Sequence, residues 1–179
     1  MTLANRLTLL RIGLTFPYAV MALTGHVVIA AVIFAAAAVT DLLDGFVARQ
    51  RQEETLLGKV LDPIADKMLA LTALVVLVAN GTLSEMELAA VLAIVLRETW
   101  VAGLREGLIS AGGELPVTGY AKIKTTIQLL ALFLLTLGIT SLGVPLLWAS
   151  VGLTLYTGWE YTVMAFKILN LGTGEAKDD

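Results

Sequence analysis

Six apolar runs, each close to the length that crosses a bilayer, follow one another through this chain with only brief polar breaks between them. A helix rises about 1.5 Å per residue, so about 20 apolar residues cover a hydrocarbon core of about 30 Å. The runs fall at Leu7–Leu23, Val27–Arg49, Gly58–Ala79, Glu87–Gly107, Gly119–Ile139 and Val144–Leu169. In lipid every backbone N–H and C=O must be satisfied within the protein, which makes runs of this length helices. Composition agrees, because 58% hydrophobic and 15% charged residues, with a mean hydropathy of +0.85, lie outside the balance of a soluble domain. The chain is expected to be an all-α integral membrane protein with six transmembrane helices. One domain is expected over residues 1–171, followed by a polar tail over 172–179. The first run follows Asn5 and Arg6 directly and has no small-residue cleavage site, so it reads as a first span and not as a removed leader.

An even number of spans places both ends on one side of the membrane. All twelve Lys and Arg residues, from Arg6 and Arg11 to Lys167 and Lys177, sit in the half of a span or in the loops on that side. Cytoplasmic loops carry the excess of basic residues, so both termini are expected to be cytoplasmic. The formal net charge of −3 hides this segregation. There is no cysteine, which excludes disulfides and thiolate ligands, and the single histidine, His26, falls in a loop on the opposite side.

Against this apolar background stands a string of four aspartates, D-x-x-D-G-x-x-A-R-x8-G-x3-D-x3-D, from Asp41 to Asp66. An aspartate at mid-bilayer costs about 2.5–3.5 kcal/mol on insertion scales, so four of them near apolar spans require compensation from water, protein partners or metal. The second and third spans form a hairpin closed by Gln50 to Leu57. Asp41 and Asp44 occupy the last turns of one arm, and Asp62 and Asp66 the first turns of the other. Spacings of three and four residues keep each pair on one helix face. Like charges so close in a low dielectric repel strongly without a cation between them. Oxygen-only ligands suit hard ions, Mg²⁺ or Mn²⁺, and two such ions about 3.5–4 Å apart can clamp a phosphate for in-line displacement. Gly45, Ala48 and Gly58 are small where a ligand needs close approach, and Arg49 offers a planar fork to a phosphate. Pro63 sits in the first turns of its span, where its missing N–H costs least.

The string resembles the signature of the CDP-alcohol phosphotransferases and matches every fixed position through Asp41, Asp44, Gly45, Ala48, Arg49, Gly58, Asp62 and Asp66. The resemblance implies a six-span membrane enzyme, usually a homodimer, in which an acceptor hydroxyl displaces CMP from a CDP-linked lipid or alcohol with the help of two divalent metal ions. It implies that Asp41, Asp44, Asp62 and Asp66 are metal ligands and that Asp66 is also the catalytic base. It points to Asn5 and Thr8, at the start of the first span, for the cytidine nucleotide.

Three further segments resemble those members of the family that use CDP-diacylglycerol as donor and sn-glycerol 3-phosphate as acceptor. They are N-R-L-T-L-L-R from Asn5, R-E-T-W-V-A-G-L-R-E from Arg97 and G-Y-A-K-I-K-T-T-I-Q from Gly119. A dianionic acceptor needs concentrated positive charge, which Arg97, Arg105 and Lys122 can supply. Arg97 and Arg105 are eight residues apart and differ by about 80° in direction on one helix. Lys122 and Lys124 cannot share a face, and Lys122 is chosen because it shares a stripe with Thr125 and Thr126. Membrane lipid is the expected surrounding and no nucleic-acid partner is expected. The site would face the cytoplasm from the inner, cytoplasmic membrane. Three alternatives stay open on the residues alone: a sibling enzyme with another acceptor, a prenyltransferase, and a cation transporter using the carboxylates as an ion site.

Overall fold

The structure is a computed structural model. It describes residues 2–51, 56–110, 112–113, 116 and 119–174, and the side chains of these except at 3–4, 41–51, 56–57, 59–60, 62 and 170–174. Six helices and no strand occur among the described residues: α1 Leu3–Leu23, α2 Val27–Arg51, α3 Leu56–Ala79, α4 Glu85–Ser110, α5 Gly119–Thr136 and α6 Thr140–Gly174. Each covers one of the apolar runs, except that α5 stops at Thr136, three residues short of Ile139. The largest difference is at α6, which begins four residues earlier than Val144 and continues to Gly174, into the stretch read as tail.

Local chemistry explains the ends. Thr2 caps α1 by accepting from the Asn5 N–H at 3.3 Å. Glu87 reaches back to cap the start of α4: the Ser84 N–H donates to Glu87 Oε2 at 2.9 Å, as in one half of a capping box, and the Ser84 hydroxyl donates to the same oxygen. Four helices, α1, α3, α4 and α5, stop just before glycines with positive φ, Gly25, Gly81, Gly112 and Gly138. At Gly25, Gly112 and Gly138 the glycine N–H and the next N–H turn back onto carbonyls of the last turn, as His26 does onto Met21 at 2.9 Å. His26 is exposed in the α1–α2 turn and bonds to Thr24 Oγ1 at 3.0 Å.

The helices pack as two groups. α1 lies against α2 and α3, while α6 lies against α5 and α4, and α5 joins the groups by touching α2 and α3. Two apolar clusters form the interior. The larger runs from Tyr18, Phe34 and Leu74 to Ile94, Leu132 and Leu147, and the smaller gathers Val101, Leu108, Tyr161 and Ala165. Tyr18 joins α1 to α5 through a 3.1 Å hydrogen bond with Thr136. Large apolar side chains are also exposed on the outside of every helix, among them Phe16, Val28, Val75, Leu96, Leu130 and Phe166. Among the described residues one helix, over Asn5–Leu23, meets a length-and-hydropathy standard for crossing a membrane, and Val27–Thr40 is a shorter apolar stretch.

Candidate active site

The aspartate motif straddles the α2–α3 connection. Asp41 lies ten residues before the end of α2 and Asp66 ten residues after the start of α3, while Asp44 and Asp62 lie seven and six residues from those ends. At about 1.5 Å per residue, the two pairs therefore sit at matching distances from the connection. The side chains of Asp41, Asp44, Asp62, Gly45, Ala48 and Arg49 lie outside the described residues, whereas those of Asp66, Asn5 and Thr8, together with the Gly58 position, are described.

Asp66 is held from α1. Arg11, fully buried, donates from Nη1 to Asp66 Oδ1, and the Asp66 side chain is 46% exposed. Above and below Arg11, α1 presents Asn5, Thr8 and Thr15, all buried. These residues recur at intervals of three and four, which places the expected nucleotide-binding pair and the Arg11 anchor on one face of α1. Gly58, near the start of α3, is buried as well. Sequence reasoning counted Arg11 among the basic residues that set orientation and as the end of the N-R-L-T-L-L-R segment, and gave it no partner and no place in the site. The signal it missed is a guanidinium inside an otherwise apolar span, which must find a partner.

The second group of ionisable residues lies between the two apolar clusters, where α4, α5 and α6 enclose a polar layer. Arg97, Lys124, Gln128, Thr154 and Thr157 are all buried there. Arg97 donates from Nε to the Thr154 carbonyl at 3.1 Å, from Nη2 to Thr157 Oγ1 at 2.9 Å and from Nη1 to Glu98 Oε1 at 3.0 Å. Its guanidinium also stands 5.6 Å from the ring centre of Tyr161. Lys124 donates from Nζ to the same Glu98 oxygen. Lys67, the residue after Asp66, is in electrostatic reach of Glu98, Arg105, Arg97 and Lys124. Consecutive residues on a helix point about 100° apart. α3 thus turns Asp66 to Arg11 and Lys67 to the cationic layer.

The expected phosphate-binding trio is partly regrouped. Arg97 lies in this layer, and Arg105 is half-buried within electrostatic reach of Lys67. Lys122 does not join them, because its side chain is exposed, and Lys124 is the inward residue. The stripe argument failed because Thr125 and Thr126 return their hydroxyls to the carbonyls of Ala121 and Lys122 on their own helix, both at 3.1 Å, and so mark no polar interior. Glu98 and Lys67 were not singled out. Glu160 on α6 keeps Oε2 buried without a hydrogen-bond partner among the described residues, and nothing in the structure explains it.

The donor set of the aspartate motif consists of carboxylate oxygens alone, which fits a hard divalent cation and not a soft one. Among the described residues no three acidic, histidine or cysteine side chains converge on one point. Asp66 is the one motif carboxylate that falls within that description.

The structure is an α-helical bundle with the aspartate motif across one helical connection and a buried cationic layer between α4, α5 and α6. Residues 1–156 match the family model described as CDP-alcohol phosphatidyltransferase, and the chain belongs to that family. It is therefore a transferase of a membrane-embedded family that uses divalent metal ions, which sets the transporter and prenyltransferase alternatives aside. Similar proteins include a CDP-diacylglycerol–glycerol-3-phosphate 3-phosphatidyltransferase of Rickettsia bellii, 37% identical over 139 residues that cover 73% of this chain and 75% of the relative. One of the same name from Cereibacter sphaeroides is 32% identical over 206 aligned positions, covering 89% and 93%. Another from Bacillus subtilis is 38% identical over 141, covering 73% and 70%.

Proposed function

We propose that this chain transfers a phosphatidyl group from CDP-diacylglycerol to the C1 hydroxyl of sn-glycerol 3-phosphate, giving phosphatidylglycerophosphate and CMP in phospholipid biosynthesis. The observation that carries the reading is the junction on α3, where Asp66 and Lys67 stand side by side. One faces the anchor of the aspartate motif and the other the cationic layer of α4 and α5. A base for the acceptor hydroxyl and a site for the acceptor phosphate are thereby neighbours. The named activity of the relatives supports the same donor and acceptor.

Asp41, Asp44, Asp62 and Asp66 are the residues that would hold two divalent ions, Mg²⁺ or Mn²⁺. Bound there, such a pair would supply positive charge to the donor's diphosphate and to the departing CMP. Asp66 takes the proton from the acceptor hydroxyl. A carboxylate offers about four lone-pair positions, so the bond from Arg11 does not exhaust its capacity to accept. The acceptor oxygen then attacks the phosphorus that carries diacylglycerol, and the bond from that phosphorus to the CMP oxygen breaks. Asn5 and Thr8 line the cytidine side, with Gly45, Ala48 and Gly58 leaving room and Arg49 bonding a phosphate. Arg105, Lys124 and Lys67 receive the acceptor phosphate, with Arg97 behind them.

Six membrane crossings with both ends in the cytoplasm are part of this reading. They are supported by the one-sided distribution of the basic residues and by the apolar outer faces of all six helices. The inner membrane, a site open to the cytoplasm and a homodimeric state complete it, the last from the family resemblance. The test is CMP release by the purified full chain in detergent, with CDP-diacylglycerol, Mg²⁺ or Mn²⁺ and a panel of acceptors. Glycerol 3-phosphate should be used in strong preference. Preference for serine, inositol phosphate or phosphatidylglycerol would assign the chain to a sibling activity.

A further inference from the structure

The polar layer holds one acidic side chain whose role the proposed reaction does not supply. Glu98 is the residue after Arg97 on α4, its side chain 14% exposed, and a single oxygen, Oε1, accepts from both Arg97 and Lys124. The two cations are held very differently. Arg97 is tied to α6 at the Thr154 carbonyl and at Thr157, and lies by the Tyr161 ring. Its stem runs so close to α6 that a methyl added at Gly158 would stand 2.9 Å from Arg97 Cγ. It is a fixed post. Lys124 comes from α5 on a flexible four-carbon stem, is 5% exposed, and has Glu98 as its only ion-pair or hydrogen-bond partner among the described residues.

We propose that Glu98 is a positioning residue for the acceptor phosphate: braced by Arg97, it holds the Lys124 ammonium inside the bundle and aims it at the acceptor site. The inference rests on the site reading given above and extends it to a residue that touches no substrate. The chemistry is direct. A buried ammonium is costly unless a carboxylate offsets its desolvation, and a lysine stem that loses this partner can swing toward water. An ammonium has three N–H donors, so Lys124 bonded to Glu98 still has hydrogens for a phosphate oxygen. With Lys67 also in electrostatic reach of Glu98, one carboxylate faces three cations, so the layer retains a positive excess for a dianion.

The experiment compares wild type, E98Q, E98D, K124Q and the E98Q/K124Q pair as full chains in detergent, varying glycerol 3-phosphate and CDP-diacylglycerol separately. E98Q keeps the shape and removes the charge. It should raise the acceptor KM by about tenfold, with kcat at saturating acceptor and the KM for CDP-diacylglycerol changing far less. E98D should recover part of the acceptor KM. The double variant should match K124Q alone, because Glu98 acts through Lys124. An unchanged or lowered acceptor KM in E98Q, or additive effects in the pair, overturns the assignment. Should E98Q not fold, K124Q carries the test, and a wild-type acceptor KM there overturns the assignment equally. A wild type that ignores glycerol 3-phosphate but releases CMP with an acceptor lacking a phosphate would instead defeat the site reading, whatever Glu98 does.

Discussion

The proposed base, Asp66, is held by a residue 55 positions away, Arg11. D66N should keep the helix and lose the proton acceptor, lowering CMP release by about 10²–10⁴-fold. Near-normal turnover by that variant would remove the base assignment. Arg11 acts one step behind, so R11M should lower kcat by about 10–100-fold, the range seen when the partner of a ligating carboxylate is removed. R11K should retain more activity than R11M, because the charge survives while the fork geometry does not. The aspartates were legible from their spacing, since four carboxylates at i, i+3 and i, i+4 in apolar sequence have few bland explanations. Arg11 was not, because its partner lies on another helix and no local pattern connects the two.

At the scale of the helix, the length of the apolar runs located all six elements, and capping residues set several of their ends. What run length left ambiguous was rotation. On α5 the inward stripe is Lys124, Gln128, Ala131, Leu132 and Leu135, all buried. These stand at i, i+4, i+7, i+8 and i+11, so the stripe is present in the sequence, while Thr125 and Thr126 form a competing polar stripe with Lys122 on another face. Close contacts between elements give two further expectations. A methyl at Gly143 would lie 2.6 Å from Leu135 Cγ and 3.2 Å from the Leu135 backbone nitrogen. Leu135 is fully buried and cannot yield. G143A should therefore destabilise the α5–α6 pair by about 1–3 kcal/mol, read as a lower thermal midpoint in detergent, without a selective change in acceptor KM. G158A presses on the stem of Arg97 instead, and should raise the acceptor KM more than G143A does at equal loss of stability. The same acceptor KM in both variants would separate Arg97 from acceptor binding.

For the whole molecule, the arrangement predicts a metal requirement and a sidedness. Chelation with EDTA should abolish CMP release and excess Mg²⁺ or Mn²⁺ should restore it; activity that survives chelation would leave the aspartate cluster without its proposed purpose. Because the chain has no cysteine, single cysteines at Thr82 and Pro116 can report topology without background. An impermeant maleimide applied outside intact cells should label T82C, and P116C only after permeabilisation; the reverse pattern would invert the proposed orientation. The order of the helices and the acidic motif were determined by the sequence alone, and so were the helix lengths to within a few residues at every helix but α6. Hydrophobic period, span length and turn chemistry are local, and each is written within about 25 residues of chain. Only tertiary structure decided which charged side chains meet: Arg11 with Asp66, and Arg97 and Lys124 on one oxygen of Glu98. Those pairings depend on how helices distant in sequence rotate and pack, and a buried charge finds its partner by proximity in space, which spacing along the chain does not encode.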